Sequence, residues 1–478
     1  MLLRSTLIYA PAIIFTRISA LLLVIFATRM IDQTEYGLLT LVVAVGEMID
    51  VAVTDWMRIS LLRLGGKGDV TRGSLARAAS ILFGTSALAL VVAIPASIIV
   101  VPQRWMEFLL AVAAYLVAGA VARFGLIVLQ MQQRHTAYVT LEFLRAAFQL
   151  VMPVLILMAG HETFLAVSLA SSTGTLLAAV VTGIVAARRV VAGPSVFTHY
   201  EFFAIGLPVV AVALVSLGLT NGERVILNEF HGAASVAIFA AVYALARQPI
   251  ALIANAVNTA SFPEAVSRFD HQGPLAAGHF IAQTMALIIS LSLPAAALLV
   301  ALSDDIVRLF LPAEYAGPEV FLFAIIAFAV IATNLSDYVY GAMIHAHKRP
   351  HLLIINKAVG SVICIGLSLL LIPSMAEIGA ALGLAAGAGA GLFVSIIINQ
   401  KMTPIPTPWR AMFSAIVVAI GTGYTAALIS GSIQVDSLFI KLAIASIASG
   451  FVFLALNAIM YPKEAMHRIY TVKEMFTS

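Results

Sequence analysis

The chain is poor in charge and nearly devoid of cysteine. Only 10% of its 478 residues are Asp, Glu, Lys or Arg, and 62% are hydrophobic. Soluble domains carry about 25% charged and about 45–50% apolar residues, so a water-facing globular surface is excluded. The one cysteine, Cys364, rules out an intrachain disulfide framework. No GxxxxGK[ST] stretch occurs, which argues against direct ATP hydrolysis. No long polar segment interrupts the chain, so no soluble catalytic domain hides between the apolar runs. His345, His347 and His351 cluster beside Lys348 and Arg349, but no acid or cysteine joins them at ligand spacing. They read as a basic face rather than a metal site. No metal, cofactor or nucleic-acid partner is expected.

What is present is apolar length. A bilayer-crossing helix needs about 20 mainly apolar residues. Runs of that size fall at 5–29, 38–62, 75–100, 105–131, 135–159, 163–187, 200–224, 233–260, 276–302, 318–345, 351–373, 376–400, 410–430 and 437–461. The expectation is an all-α polytopic membrane protein of about 14 transmembrane helices. Arg4 precedes the first run and Arg17 interrupts it, so that run reads as a retained helix rather than a cleaved signal. Basic residues alternate between breaks: 16 of the 27 Lys and Arg fall in every second break or at the ends, and five in the others. By the positive-inside rule, this places both termini in the cytoplasm. The longest inner connection is 261–275 and the longest outer one 303–317. After Tyr461, Lys463, Arg468 and Lys473 suggest a short helix lying against anionic lipid.

Two stretches echo each other. Arg29-Met-Ile-Asp-Gln-Thr-Glu-Tyr-Gly37 and Arg224-Val-Ile-Leu-Asn-Glu-Phe-His-Gly232 share Arg, Ile, an amide and Gly at equal spacing. Phe124-Gly125 with Arg134 and Glu142 echoes Tyr340-Gly341 with Arg349 and Lys357. Both echoes are six helices apart, as in transporters built from parallel repeats. The domain reading is a six-helix lobe at 1–195, a second at 196–403, and helices 13 and 14 with a tail at 404–478.

Charges inside apolar helices cost about 2.5–3.5 kcal/mol each on insertion scales. Their retention suggests a water-filled interior. Glu47, Asp50, Thr54 and Arg58 are spaced to line one face of the second helix. Glu142, Arg145 and Gln149 do the same in the fifth, where acid and base can pair. Arg247 and Lys357 have no acid nearby in their own helices, and Asp337 is a natural partner for either. Arg123 reads as a snorkelling side chain. Arg29 and Arg224 read as interfacial anchors. Gly379, Gly383, Gly387 and Gly391 form a ridge for close packing. Pro11, Pro208 and Pro249 are candidate hinges. The excess inside the helices is cationic, with Arg17, Arg145, Arg247 and Lys357 as the candidate substrate-binding set. Arginine matches phosphate through its planar fork, so an anionic, phosphate-bearing ligand is expected. Glu47, Asp50, Arg58, Glu142 and Asp337 are candidate coupling or cavity residues.

Three segments carry a family resemblance: Arg17-Ile-Ser-Ala-Leu-Leu-Leu, the Glu35-Tyr36-Gly37 turn, and Asp55-Trp56-Met57-Arg58 before a basic loop. Together they resemble polysaccharide transporters of the Wzx type, in the multidrug/oligosaccharidyl-lipid/polysaccharide exporter superfamily. The resemblance implies two six-helix lobes around a central cavity, plus two C-terminal helices. It also implies flipping of a polyprenyl-diphosphate-linked oligosaccharide from the inner to the outer leaflet of a cell inner membrane. Lipid-linked oligosaccharide, membrane lipids and other polysaccharide assembly proteins would be the partners, and no catalysis would be involved. The alternatives are a multidrug or small-molecule exporter or a lipid II flippase of the same superfamily. From another class, a membrane glycan polymerase or ligase would need a longer outer loop than any seen here.

Overall fold

The computed structural model describes residues 2–54, 56–65, 70–206, 210, 221–317, 319–349, 351–433, 435 and 437–460. Among the described residues, fifteen α-helices carry the fold. The first seven are α1 (Leu2–Met30), α2 (Gln33–Val53), α3 (Trp56–Gly65), α4 (Arg72–Val100), α5 (Trp105–Met131), α6 (His135–Met158) and α7 (Phe164–Ala187). The rest are α8 (Gly222–Gln272), α9 (Pro274–Ala301), α10 (Ser303–Phe310), α11 (Glu319–Asn334), α12 (Gly341–Ala346), α13 (Leu352–Met402), α14 (Trp409–Ser432) and α15 (Leu438–Met460). A π-helical turn at Leu335–Tyr340 joins α11 to α12. Among the described residues there is no sheet, only one isolated bridge between Thr71 and Val191.

Ten of the described helical stretches are long and apolar enough to cross a membrane, and the bent pair α2–α3 makes an eleventh. Phe83, Leu88, Val91 and Ile99 on α4, and Phe439, Ile447, Phe451 and Leu454 on α15, stand exposed. An apolar surface of that extent fits lipid rather than water. The two 51-residue helices α8 and α13 are each broken by non-helical backbone, at Gly232 (φ 78°) and Ala376 (φ 44°) respectively. A fold of about 14 spans accommodates these breaks. Most of the seventh expected run, with Pro208, and the tail after Tyr461 lie outside the described residues.

Chain breaks follow local chemistry. Asp32 caps α2, its side chain accepting the Thr34 N–H at 2.9 Å. Gly273 (φ 88°) and Pro274 start α9, and the connection expected at 261–275 is helical up to Gln272. The break in α8 falls at Gly232, while Pro249 stays inside a continuous helix. The glycine ridge of α13 packs on the first half of the same helix. A Cβ on Gly383 would lie 2.2 Å from Ser368 Oγ, and one on Gly379 2.6 Å from the Leu371 backbone.

Contacts divide the chain into two units, 1–244 with 350–391, and 245–349 with 392–478. The first holds a core around Trp56, Met57, Leu129, Phe197 and Phe202. The second is built around Ile281, Met285, Ile288, Val339 and Met343, with a smaller cluster at Leu302, Ala426 and Ala445. In the second unit, buried Asp305 on α10 accepts from Ser430 and pairs with Lys441 at 2.9 Å, tying α10 to α14 and α15. In the first, Glu35 joins three elements: it pairs with Arg104 and accepts the Phe164 N–H at 2.7 Å, with Arg104 stacked over the Phe164 ring.

Candidate functional site

Polar residues from four helices of the first unit converge on a cavity of about 250 Å³. Its walls come from α3, α5, α6 and α7 and carry Arg58, Tyr115, Arg123, Gln130, Tyr138, Glu142, Arg145, Gln149, Ser171, Ser172 and Thr175. Small residues let these helices approach. Gly46 of α2 sits where a Cβ would come within 2.5 Å of the Tyr115 ring. Gly174 of α7 sits where one would meet the Phe148 carbonyl of α6 at 2.5 Å.

Most charges here are already matched. Glu142 grips Arg145 through both oxygens, at 2.5 and 3.0 Å, and Gln149 Oε1 accepts from the same guanidinium at 2.9 Å. Asp50, 4% exposed, pairs with Arg123 and accepts from the Thr54 hydroxyl. Glu47 accepts from Asn221 Nδ2 at 3.0 Å. Arg58 differs: it is exposed in the cavity wall and has no hydrogen bond or ion pair among the described residues. Three guanidinium groups face two carboxylates, counting Asp50 behind Arg123, so the lining keeps one net positive charge. Hydroxyls, phenols and amides complete it. Such a surface holds an anion with hydroxyl groups beside it.

Two expectations are corrected. Glu47, Asp50, Thr54 and Arg58 do not share one helix: α2 ends at Val53, Thr54 caps it, and Arg58 stands on α3. The two helices are bent by 41°. The Asp50 carboxylate, drawn to Thr54 and to Arg123 on α5, marks where the helix ends. Arg123 does not snorkel to the surface; Asp50 holds it against the cavity. Of the candidate binding set, Arg145 lines the cavity, while Arg17 and Lys357 are half-buried elsewhere in the first unit and Arg247 lies in the second. Asp337 occupies the π-helical turn of the second unit. Tyr115, Tyr138, Gln130 and the Ser171-Ser172-Thr173-Gly174-Thr175 run were not singled out from sequence. That polar run inside an apolar helix was the available signal.

The two echoed segments meet within the first unit. A Cβ on Gly37 would lie 1.8 Å from the carbonyl of Ala233, just past the break at Gly232. Both are helix–break–helix elements, and only a bare glycine allows this approach.

Comparison with known proteins decides the family. The model of the polysaccharide biosynthesis protein family matches residues 26–317, more than half of the chain. The chain belongs to the polysaccharide biosynthesis protein family. No curated protein matches it. Among solved structures it is similar to the lipid II flippase MurJ in an inward closed conformation (14% identity, TM-score 0.72, covering 95% of this chain and 99% of that one). It is also similar to an inward-facing multidrug resistance MATE family transporter of the MOP superfamily (12%, 0.57, 81% and 94%). A third likeness is to a MOP superfamily transporter from Pyrococcus furiosus, described by the reverse polarity of its binding pocket (12%, 0.58, 84% and 94%). At these identities the likeness shows the fold: a multi-pass membrane protein with the helical architecture of this transporter group.

Proposed function

We propose that this member of the family is a flippase for a polyprenyl-diphosphate-linked oligosaccharide, carrying the head group from the inner to the outer leaflet of the inner membrane by alternating access. The observation that carries the reading is the cavity of the first unit. It sets an uncompensated arginine beside hydroxyl and amide side chains inside a transporter fold. Diphosphate and sugar are the two chemistries such a lining serves. At about 250 Å³ the space is smaller than the roughly 300–1,000 Å³ of ordinary ligand sites. It suits the phosphate and first sugar rather than a whole oligosaccharide. Arg58 is the first contact for phosphate, with Arg123 and Arg145 behind it. Arg17, Arg247 and Lys357 remain candidates for holding the head group at other points of the cycle. The prenyl tail stays in lipid throughout. With the cell interior negative, outward movement of an anionic head gains about 2.3 kcal/mol per charge per 100 mV.

The test is deletion of the gene followed by analysis of lipid-linked saccharides. Accumulation of one species on the cytoplasmic leaflet, reversed by the wild-type gene and not by R58A, is the expected result. The absence of any accumulating species overturns the reading. The fold likeness to a multidrug transporter supports a second reading, small-molecule export. Drug sensitivity on deletion with unchanged surface glycan would favour it.

A further inference from the structure

The first unit holds a buried carboxyl that the flippase reading does not use. Glu223, in the first turn of α8, is 1% exposed, and its Oε2 has no hydrogen-bond partner among the described residues. Its surroundings offer it little. A Cβ on Gly222 would lie 3.7 Å from the Ile365 side chain of α13, and the buried thiol of Cys364 faces the carboxyl from the same helix. Arg224 is adjacent in the chain, but its guanidinium lies over the Tyr243 ring at 5.2 Å, with Nε also unpartnered. No ion pair joins the two among the described residues. On α2, Glu47 accepts from Asn221, two residues before Glu223. Its own backbone N–H and the charge of Arg224 favour the carboxylate, but an ionised carboxylate buried with one oxygen unpartnered costs more than a neutral acid. A metal cation is a poor fit, because Arg224 stands beside the site and no group of three His, Cys, Asp or Glu is gathered among the described residues.

The segment bearing this carboxyl is bounded by a backbone break. Residues 222–231 form a short rod that ends at the Gly232 break. Two hydrogen bonds fasten the rod, Asn228 to the Val100 carbonyl (2.7 Å) and His231 to the Ile372 carbonyl (2.8 Å), and just past the break Ala233 lies against Gly37. From Asn221 the polar seam runs through Glu47 to Tyr115, whose phenol faces Glu47 and lines the cavity.

We infer that Glu223 is a proton-binding site of the transport cycle. On this reading the carboxyl is the neutral acid while Arg224 rests on Tyr243. When the rod tilts at Gly232, Arg224 leaves the ring and pairs with Glu223, and the proton departs to water. No bond other than O–H forms or breaks, and the released proton balances the charge gained by the carboxylate. The inference extends the transporter reading by naming the ion that the conformational change exchanges.

The experiment is infrared spectroscopy of the full-length protein in phosphatidylethanolamine–phosphatidylglycerol vesicles across a pH titration, with ¹³C-glutamate labelling to separate Glu from Asp. The wild type should show a protonated-carboxyl band that shifts on glutamate labelling and titrates. E223Q should lose that band, E223D should move it out of the glutamate-labelled set, and E47Q should retain it. A band that persists in E223Q, or a wild-type protein with no such band, overturns the assignment, and the labelled wild type reads out even if E223Q does not fold. A second arm measures saccharide export with the pH gradient collapsed at a clamped membrane potential. Export should fall severalfold in the wild type and not respond in E223Q, whereas an unresponsive wild type refutes coupling. A cargo other than lipid-linked saccharide would silence the second arm in every variant and leave the infrared result intact.

Discussion

Replacing Glu142 by Gln should strengthen anion binding. In the structure Glu142 neutralises Arg145 with two hydrogen bonds, and the cavity lining carries one net positive charge. The substitution keeps the shape and an acceptor for Arg145, while Gln149 still holds the guanidinium. It raises the net charge of the lining to two. A divalent diphosphate about 6 Å away gains about 1.4 kcal/mol from the added charge even at the dielectric constant of bulk water, and more in a less polar setting. That corresponds to about tenfold tighter binding. The assay is calorimetric titration of purified protein with inorganic pyrophosphate at low ionic strength, repeated at high salt, where screening should erase most of the gain. R58A is the opposing variant. It removes the guanidinium of the cavity lining that has no counter-ion among the described residues, and a charge-assisted hydrogen bond of about 1.5–3 kcal/mol corresponds to roughly 10–150-fold weaker binding. Unchanged or weaker pyrophosphate binding by E142Q would show that the cavity is not an anion site, and the argument from its charge would fail.

Three further outcomes test the frame around that site. E35A removes the acceptor of the Phe164 N–H and leaves Arg104 with only Glu107; an orphaned donor of this kind costs about 1–3 kcal/mol, so the detergent-solubilised protein should melt lower, with E35Q recovering part of the loss. D305A strands Lys441 in a buried position. Breaking such a pair costs about 3–5 kcal/mol, whereas the apolar double variant D305L/K441M should recover most of the melting temperature. His347, hydrogen-bonded to Thr403 at 2.9 Å and edge-on to Phe269, is held below the ordinary imidazole range first by burial and then by Arg349. The folded protein therefore binds fewer protons there than the unfolded one, and stability should fall as pH drops below the ordinary histidine value; H347N should flatten that slope in melting curves recorded between neutral and mildly acidic pH.

Helix content and membrane class were legible because each depends on local composition. Asp32, Pro274 and the glycine ridge mark their elements in the sequence itself. What stayed hidden depended on contacts far apart in the chain. Asp50 and Arg123 are 73 positions apart, and neither hydropathy nor spacing links them. Their pairing accompanies the end of α2 at Thr54, at a place with no glycine or proline to announce it. The break at Ala376 lies three residues past Pro373 on a non-glycine residue with positive φ, so sequence located the region but not the position. Glu142 and Arg145, one helical turn apart, were legible as a pair because i and i+3 residues are neighbours on any helix.

Membrane energetics sort the buried charges of the first unit. Each acid that meets a base, as Asp50 meets Arg123 and Glu142 meets Arg145, offsets its own insertion cost and serves packing as well as the site. Arg58 and Glu223 are not offset in this way among the described residues. An arginine cannot shed its charge, so it must meet water or an anion, and Arg58 stands in a cavity wall where both can reach it. A carboxyl can shed its charge by taking a proton, and Glu223 is sealed where water cannot reach it. The permanent cation is therefore the residue suited to hold cargo, and the switchable acid is suited to report the conformation. A carrier that exchanges an anionic head group against a proton needs one of each. Among the described residues of this unit, Arg58 and Glu223 supply one of each kind.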